Sequence, residues 1–381
     1  MTKTTTQEAA LKKELEKLIS FNPVTSDKKS TKALLVYVAT ELKKLNINLK
    51  MGEKNSYPWL VAGTRSLMKS KILLQAHIDV VPAPQKLFKP KLKNNWLFGR
   101  GAYDMLFATA SYLVLLRDLH SAGKLSGFDI GVMLTSDEEV GGHSGVGALI
   151  RSYSCEVCIL PDAGAEQQLS ISAKGVLVLK IVASGTSGHA ARPQEYDNPI
   201  LKITKAAEEI SRQFPNRLST VTTCSITKIR AGEALNQIPD QASLFLDIRY
   251  VPQDDPDKIQ NRLENIMTRY DAHVTRLICE PCYSTDPNNS HITSFIRHYE
   301  NQTGKQLELI RSPGSSDARF LTVKNIPVVM IRPDGKGLHA PTEAVSLSSL
   351  KQFTDVISSF VEQTNNSPSG GSGGSEAQKN G

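Results

Sequence analysis

Apolar residues recur every three to four positions over residues 6–19, as in Leu11-Lys12-Lys13-Glu14-Leu15-Glu16-Lys17-Leu18, and again over 28–45. That period predicts two amphipathic helices. Short apolar runs follow at Trp59-Leu60-Val61-Ala62, across Ile72-Leu73-Leu74 in 71–76, and at Ile130-Gly131-Val132-Met133-Leu134. Runs of this kind predict strands buried on both faces. A helix over 105–119 separates the last two, and Val157-Cys158-Ile159-Leu160 is a further buried strand. Helices alternating with strands predict an α/β fold: a mostly parallel sheet with helices on both faces. From residue 174 the rhythm changes to strand 175–183, helix 197–213, strands 221–230 and 241–250, helix 255–270 and strand 272–280. This β-α-β-β-α-β order is ferredoxin-like. The first pattern then resumes with helix 291–302, strands near 307–311 and over 326–331, and helix 346–362. The expected organisation is a catalytic α/β domain of 1–173 and 285–365, interrupted by an inserted α+β domain over 174–284. A Gly/Ser-rich tail over 366–381 is expected to be disordered.

Composition narrows the classes. The 381 residues are 40% hydrophobic and 22% charged, as in ordinary globular proteins. The net charge of +7 comes from lysines scattered on amphipathic stretches, and only 6% of residues are aromatic, so a nucleic-acid partner is not expected. The stretch Met1–Gln7 is polar and nowhere do 18 apolar residues run together, so a cytoplasmic protein with no membrane partner is expected. Five cysteines, an odd number, argue against a disulfide framework. Cys155/Cys158 and Cys279/Cys282 have C-x-x-C spacing, but the pairs are far apart and Cys158 lies in a buried strand, where cysteine acts as a small hydrophobe.

The chemistry gathers in loops that follow strands, where ligands of such sheets bind. Three acids, Asp137-Glu138-Glu139, stand directly after one strand and before Gly141-Gly142. Like charges there repel, and a cation or a catalytic duty is the usual reason for them. Another strand ends in His77-Ile78-Asp79, where an imidazole can bind a metal while a nearby carboxylate takes its other ring N–H. Asp104 precedes a helix, Asp162 follows the strand ending at Leu160, and His339 lies in the loop after strand 326–331. Singly, each has an ordinary explanation as a core histidine, a helix cap or a solvated turn. Together, two imidazoles and three or four carboxylates suit a pair of divalent metals bridged by one carboxylate.

With these motifs in this order, the chain resembles the dinuclear zinc peptidases and deacylases. That family includes carboxypeptidase G, carnosinase-type dipeptidases, aminoacylase, acetylornithine deacetylase and succinyl-diaminopimelate desuccinylase. The resemblance spans about residues 8–363 and includes the insert, which it makes a lid and dimerisation domain. It implies that His77, Asp104 and Asp162 hold one metal and that Asp104, Glu139 and His339 hold the other. Zinc is expected, with cobalt and manganese compatible. It makes Glu138 the general base and Asp79 the acid that orients His77. It assigns His189, in Ser187-Gly188-His189-Ala190, to oxyanion stabilisation across a homodimer. Asn236, Arg249, Gly314 and Arg319 become substrate contacts.

Three departures stand out. Leu106-Phe107 replaces the Lys-Gly that usually follows Asp104-Met105. The glycine usually found before Asn198 is missing. Position 162 is Asp, which in the family goes more often with peptidases, whereas Glu goes with deacylases. The expected function is therefore a two-metal hydrolase that cleaves an amide or peptide bond of a small carboxylate-bearing substrate, of dipeptidase or carboxypeptidase type. The alternative is an N-acyl amino acid deacylase, and a distant one is a non-catalytic metal-binding protein.

Overall fold

The computed structural model describes residues 6–214, 220–312 and 314–366. The tail expected over 366–381 lies outside them, apart from Asn366, which ends the last helix.

Two helices open the fold, α1 (Thr6–Ser20) and α2 (Lys28–Lys44). Each buries the stripe its period predicts: Leu11, Leu15, Leu18 and Ile19 on α1, and Leu34, Leu35, Val38 and Leu42 on α2. Asp27 starts α2 by accepting the free N–H groups of Lys29 and Ser30. Next come β1 (Asn48–Lys54), β2 (Tyr57–Gly63), β3 (Lys69–His77), α3 (Leu106–Ser121), β4 (Ile130–Thr135), β5 (Ser154–Ile159) and β6 (Gln168–Ala173). The segment that follows holds β7 (Gly175–Ser184), α4 (Pro199–Gln213), β8 (Thr223–Ala231), β9 (Gln241–Tyr250), α5 (Pro256–Met267) and β10 (Ala272–Glu280). The chain closes with α6 (Ser290–Thr303), β11 (Glu308–Ser312), β12 (Val328–Val329) and α7 (Leu347–Asn366).

Among the described residues the main sheet has the order β1-β2-β4-β3-β5-β12. The pairs β4–β3, β3–β5 and β5–β12 are parallel, whereas β1–β2 and β2–β4 are antiparallel. The fold is thus mixed α/β with a mostly parallel sheet. Side chains of a strand alternate between faces. Ile72, Leu74 and Ala76 of β3 accordingly enter one core with α1, α3 and α7, while Leu73 enters another with Met133 and Cys158. Burial on both faces is why β3, β4 and β5 read as unbroken apolar runs.

Three elements depart from the expected pattern. β1 carries no such run because it is a half-exposed edge strand, with Lys50, Glu53 and Lys54 along it. The expected strand 326–331 contracts to Val328–Val329, preceded by Pro327, which accepts from Cys158 N–H but has no N–H to donate. The expected strand near 307–311, β11, leaves the main sheet. It pairs in parallel with β6 in a separate sheet with Tyr283–Ser284.

The segment from β7 to β10 folds as β-α-β-β-α-β, in an antiparallel sheet of order β8-β9-β7-β10. It has an apolar core of its own, in which Leu177, Leu179 and Ile181 of β7 meet Ile203 and Ile210 of α4, Leu244 and Leu246 of β9 and Leu263 of α5. Cys158 is buried in β5, as its strand implies, and all five cysteines are free. No helix among the described residues is long and apolar enough to cross a membrane.

Separate cores predict separable losses of stability. Leu74→Ala and Leu179→Ala each remove a fully buried side chain, at a cost of about 2–5 kcal/mol. Hydrogen exchange should show lost protection confined to residues 175–280 for Leu179→Ala and confined to the main sheet for Leu74→Ala. Loss spread over the whole chain in both variants would mean that the two cores unfold as one unit.

Candidate metal centre

The candidate ligands converge because three parallel strands end side by side. His77 is the last residue of β3, Glu138 and Glu139 sit in the turn after β4, and Asp162 lies just past β5. Asp104 arrives two residues before α3, which has no side-chain cap, so Asp104 is not spent on capping. The peptide bond Asp104–Met105 is cis. His339 comes from the loop beyond β12 and has a left-handed φ of 58°, a region that histidine enters uncommonly.

These side chains meet. His77 Nε2 is 3.4 Å from Asp104 Oδ1 and 3.9 Å from Asp162 Oδ1. His339 Nε2 is 2.9 Å from Asp104 Oδ2 and 3.3 Å from Glu139 Oε1. Two ligand sets result, His77/Asp104/Asp162 and Asp104/Glu139/His339, in each of which the donor atoms lie within 4.8 Å of one another. Asp104 belongs to both. A cleft of about 440 Å³ opens onto them and is also lined by Glu138, Ile310, Gly314, Arg332 and Leu338.

The electrostatics have the signature of a cation site. Burial, with the Asp162 charge, lifts the Glu138 carboxyl well above its ordinary range. Burial lifts Glu139 to about 7 and also raises Asp162. Burial opposes ionisation of Asp104 too, but the His339 and His77 rings beside it outweigh burial and hold that carboxyl low. The nearby acids in turn raise both histidines, His77 against the effect of its own burial.

Surrounding residues fix the ligands. His77 Nδ1 donates to the Asp79 carbonyl at 2.9 Å, which puts the ring proton on Nδ1 and leaves the Nε2 lone pair facing the acids. The sequence pointed to the Asp79 carboxylate for this bond, but it stands farther off, at 3.6 Å. The Asp79 carboxylate instead accepts the N–H groups of Glu138 and Glu139, both at 3.3 Å, and the Thr25 hydroxyl at 3.0 Å. It therefore ties the acidic turn to β3. Asp137 folds that turn back on itself by accepting from Ser144 N–H (2.7 Å) and Gly145 N–H (3.0 Å). Gly142 completes the turn with a φ of 64°, and a Cβ there would lie 1.8 Å from Asp317 Oδ1.

Two supports carried no sequence signal. Glu343, buried, accepts the N–H groups of Tyr103 (3.0 Å) and Asp104 (3.2 Å) and pairs with Arg100. Arg100 also donates to the His339 carbonyl at 2.9 Å, so one ion pair anchors both Asp104 and His339. Arg332 Nη2 donates to Asp162 Oδ1 at 3.1 Å. Nothing in the spacing of these residues distinguishes them from ordinary charges.

The remaining candidates are dispersed. His189 and Asn236 are exposed in the insert, next to each other, with Ala190 N–H donating to the Asn236 carbonyl at 3.0 Å. Arg249 grips Asp247 through two bonds of 2.6 and 3.0 Å. Gly314 lines the cleft. Arg319 is buried, and its fork is taken up by the carbonyls of Gly141 and Ser316 and by the Glu280 carboxylate.

A divalent cation fits this donor set on structural grounds. His77 Nε2 and Glu139 Oε1 are buried without a hydrogen-bond partner, a costly state that a cation relieves. Imidazole and carboxylate together suit borderline metals such as zinc. No second cluster with metal-ligand geometry occurs among the described residues, so neither C-x-x-C pair forms one.

The sequence model of "Peptidase family M20/M25/M40" matches residues 73–363. A succinyl-diaminopimelate desuccinylase of Pelagibacter ubique is 27% identical over 388 aligned residues, which cover 94% of this chain and 99% of that protein. Among solved structures, a tripeptidase from Staphylococcus aureus superposes with a TM-score of 0.80 at 20% identity, covering 94% of this chain and 99% of its own. An M20 family metallo-carboxypeptidase from Sulfolobus solfataricus gives 0.73 at 16% identity, covering 92% and 98%. At these identities the structural matches establish the fold.

Chelation should be felt more strongly at higher pH. In the metal-free site Glu139 titrates near 7, above the 4.5 of an ordinary glutamate. Its protonated form thus contributes stability that is complete below about 4.5 and lost as pH rises through about 7. The raised histidines lose their contribution in the same direction. A metal ion instead requires the deprotonated ligands. The drop in Tm caused by a chelator should therefore be larger at pH 7.5 than at pH 5.5 in scanning fluorimetry. An equal or smaller drop at pH 7.5 would contradict a cation at this cluster.

Proposed function

We propose that this chain, which belongs to peptidase family M20/M25/M40, cleaves the amide bond of a small carboxylate-bearing substrate at a centre of two divalent cations. Family membership establishes a metal-dependent hydrolase of amide bonds. The number and identity of the cations and the substrate type are our reading. One observation carries it: Asp104 stands within ligand distance of both histidines and belongs to both donor sets.

In this reading His77, Asp104 and Asp162 hold one cation, and Asp104, Glu139 and His339 the other. When bound, the cations, zinc by preference, polarise the scissile carbonyl and make water a nucleophile at neutral pH. The chain's own residues supply the rest. Glu138 lines the cleft without belonging to either ligand set. It accepts a proton from the attacking water and passes it to the leaving amine. Its neighbour Glu139 is a ligand, and the Asp79 carboxylate holds the backbone of both in register. Substrate packs along Ile310, Gly314 and Leu338.

The insert acts as a lid. His189, Asn236 and Arg249 are its contributions to substrate binding, with His189 reaching the site of a second subunit in a homodimer formed through the insert. Exposure of His189 and Asn236, neither of which lines the cleft, supports a partner as their target. Closure of the lid encloses the substrate and excludes water.

Asp at position 162 favours a peptidase of dipeptidase or carboxypeptidase type. A second reading, an N-acyl amino acid deacylase, is favoured by the desuccinylase name of the curated relative, which aligns over nearly its whole length.

Glu138→Ala should lower kcat by about 10²–10⁴-fold while metal content, measured by inductively coupled plasma mass spectrometry, stays at the parent value. Turnover at the parent rate would remove Glu138 from the mechanism. A panel of dipeptides against N-acetyl and N-succinyl amino acids separates the two readings: the higher kcat/KM on dipeptides supports the first, and on N-acyl substrates the second. Light scattering should give twice the monomer mass. A monomer that is fully active would dismiss a role for His189 across subunits.

A further inference from the structure

Arg332 lies three residues past β12, is buried, and lines the cleft beside the ligands. Its Nη2 is 3.1 Å from Asp162 Oδ1, the same oxygen that stands 3.9 Å from His77 Nε2. The guanidinium therefore takes up one lone pair of an oxygen that faces the rest of that ligand set. Its other flank rests against Tyr103, 5.2 Å from the ring centroid, which keeps it from swinging away. Arg332 Nε is buried without a hydrogen-bond partner, so this side chain is not a saturated scaffold.

The two ligand sets are unequal in this respect. The ion pairs of Asp104 and Glu139 are with histidines, which become neutral ligands when they bind a metal. Asp162 is paired with a guanidinium, which stays charged at every accessible pH. The charge of Arg332 also reaches Asp104, but Asp104 serves both sets and cannot tell them apart.

We infer that Arg332 is a positioning residue that competes with the cation for Asp162, and so makes the His77/Asp104/Asp162 position the weaker of the two. This rests on the two-cation reading above. Two effects act in the same direction. A carboxylate oxygen that already accepts a strong charge-assisted hydrogen bond has less electron density to offer a metal. A fixed positive charge beside a dication in a poorly hydrated site also repels it. The consequence is ordered loading: the Asp104/Glu139/His339 position fills first, and the position beside Arg332 fills as metal becomes more available. The arginine also keeps Asp162 paired while that position lacks its metal, so the half-loaded protein does not bury a lone carboxylate.

The test is calorimetric titration of Mn²⁺ into chelator-stripped full-length protein, for the parent, Arg332→Met, Arg332→Gln and Arg332→Lys. The parent should bind two equivalents in a tight and a weak step, and Asp162→Asn should abolish the weak one. Arg332→Met and Arg332→Gln should tighten the weak step by about tenfold through loss of the charge repulsion and leave the tight step in place, whereas Arg332→Lys, which keeps the charge, should retain most of the gap. If Arg332→Met folds poorly, the Gln and Lys variants decide the matter alone. A weak step that is unchanged or further weakened in the neutral variants overturns the inference and leaves the two-cation reading intact. A single equivalent in the parent overturns both.

Discussion

The fold is organised around a concentration of negative charge that it cannot bury without help. Asp104, Glu138, Glu139 and Asp162 converge where β3, β4 and β5 end, together with two imidazoles. In a poorly hydrated pocket their mutual repulsion costs more than any single hydrogen bond returns. Without metal they respond as acids in that position must: Glu138, Glu139 and Asp162 hold their protons more tightly, and the histidines hold theirs against Asp104. His77 Nε2 and Glu139 Oε1, buried without hydrogen-bond partners, belong to the same imbalance. A bound cation resolves all of these at once.

Such a cluster survives only if its backbone is held firmly, and the supports are arranged in pairs. Asp79 binds the N–H groups of Glu138 and Glu139, and so locks the turn after β4 to the end of β3. The Glu343–Arg100 pair does the same for Asp104 and the left-handed His339. Asp137, the third acid of the triplet, closes its own loop through Ser144 and Gly145. Three adjacent acids thus take three different positions from one short turn: Asp137 closes the loop, Glu138 lines the cleft and Glu139 joins a candidate ligand set. Among the described residues, Arg332 is the one permanent positive charge bonded to a candidate ligand carboxylate, and the inferred difference between the two positions rests on it.

The insert is a different kind of object. Among its described residues none belongs to the two candidate ligand sets; it has its own antiparallel sheet and apolar core and displays His189 and Asn236 at its surface. This division of labour suits a hydrolase in which one part holds the reacting centre still and another covers it.

Much of the fold is legible in the amino-acid sequence. Helices α1 and α2, the buried strands β3, β4 and β5, and the β-α-β-β-α-β order of the insert all follow from local periodicity, because burial on one or two faces imposes a repeat that a short window reveals. The candidate ligands were legible only as a set: His77, Glu139 and Asp162 each stand at or just past the end of a buried strand, and singly each had an ordinary explanation. Edge strand β1 escaped, since half-exposed pairing leaves little trace in the side chains, and β12 was read too long at both ends. The partnerships escaped as well. That Glu343 reaches back across the chain to Asp104, that Arg332 shares an oxygen of Asp162, and that the carbonyl of Asp79 and not its carboxylate takes the His77 proton depend on contacts between distant segments. A lone arginine or glutamate looks the same in sequence whether it is solvated or buried against a ligand, and only the meeting of strands, turn and loop in space makes the difference.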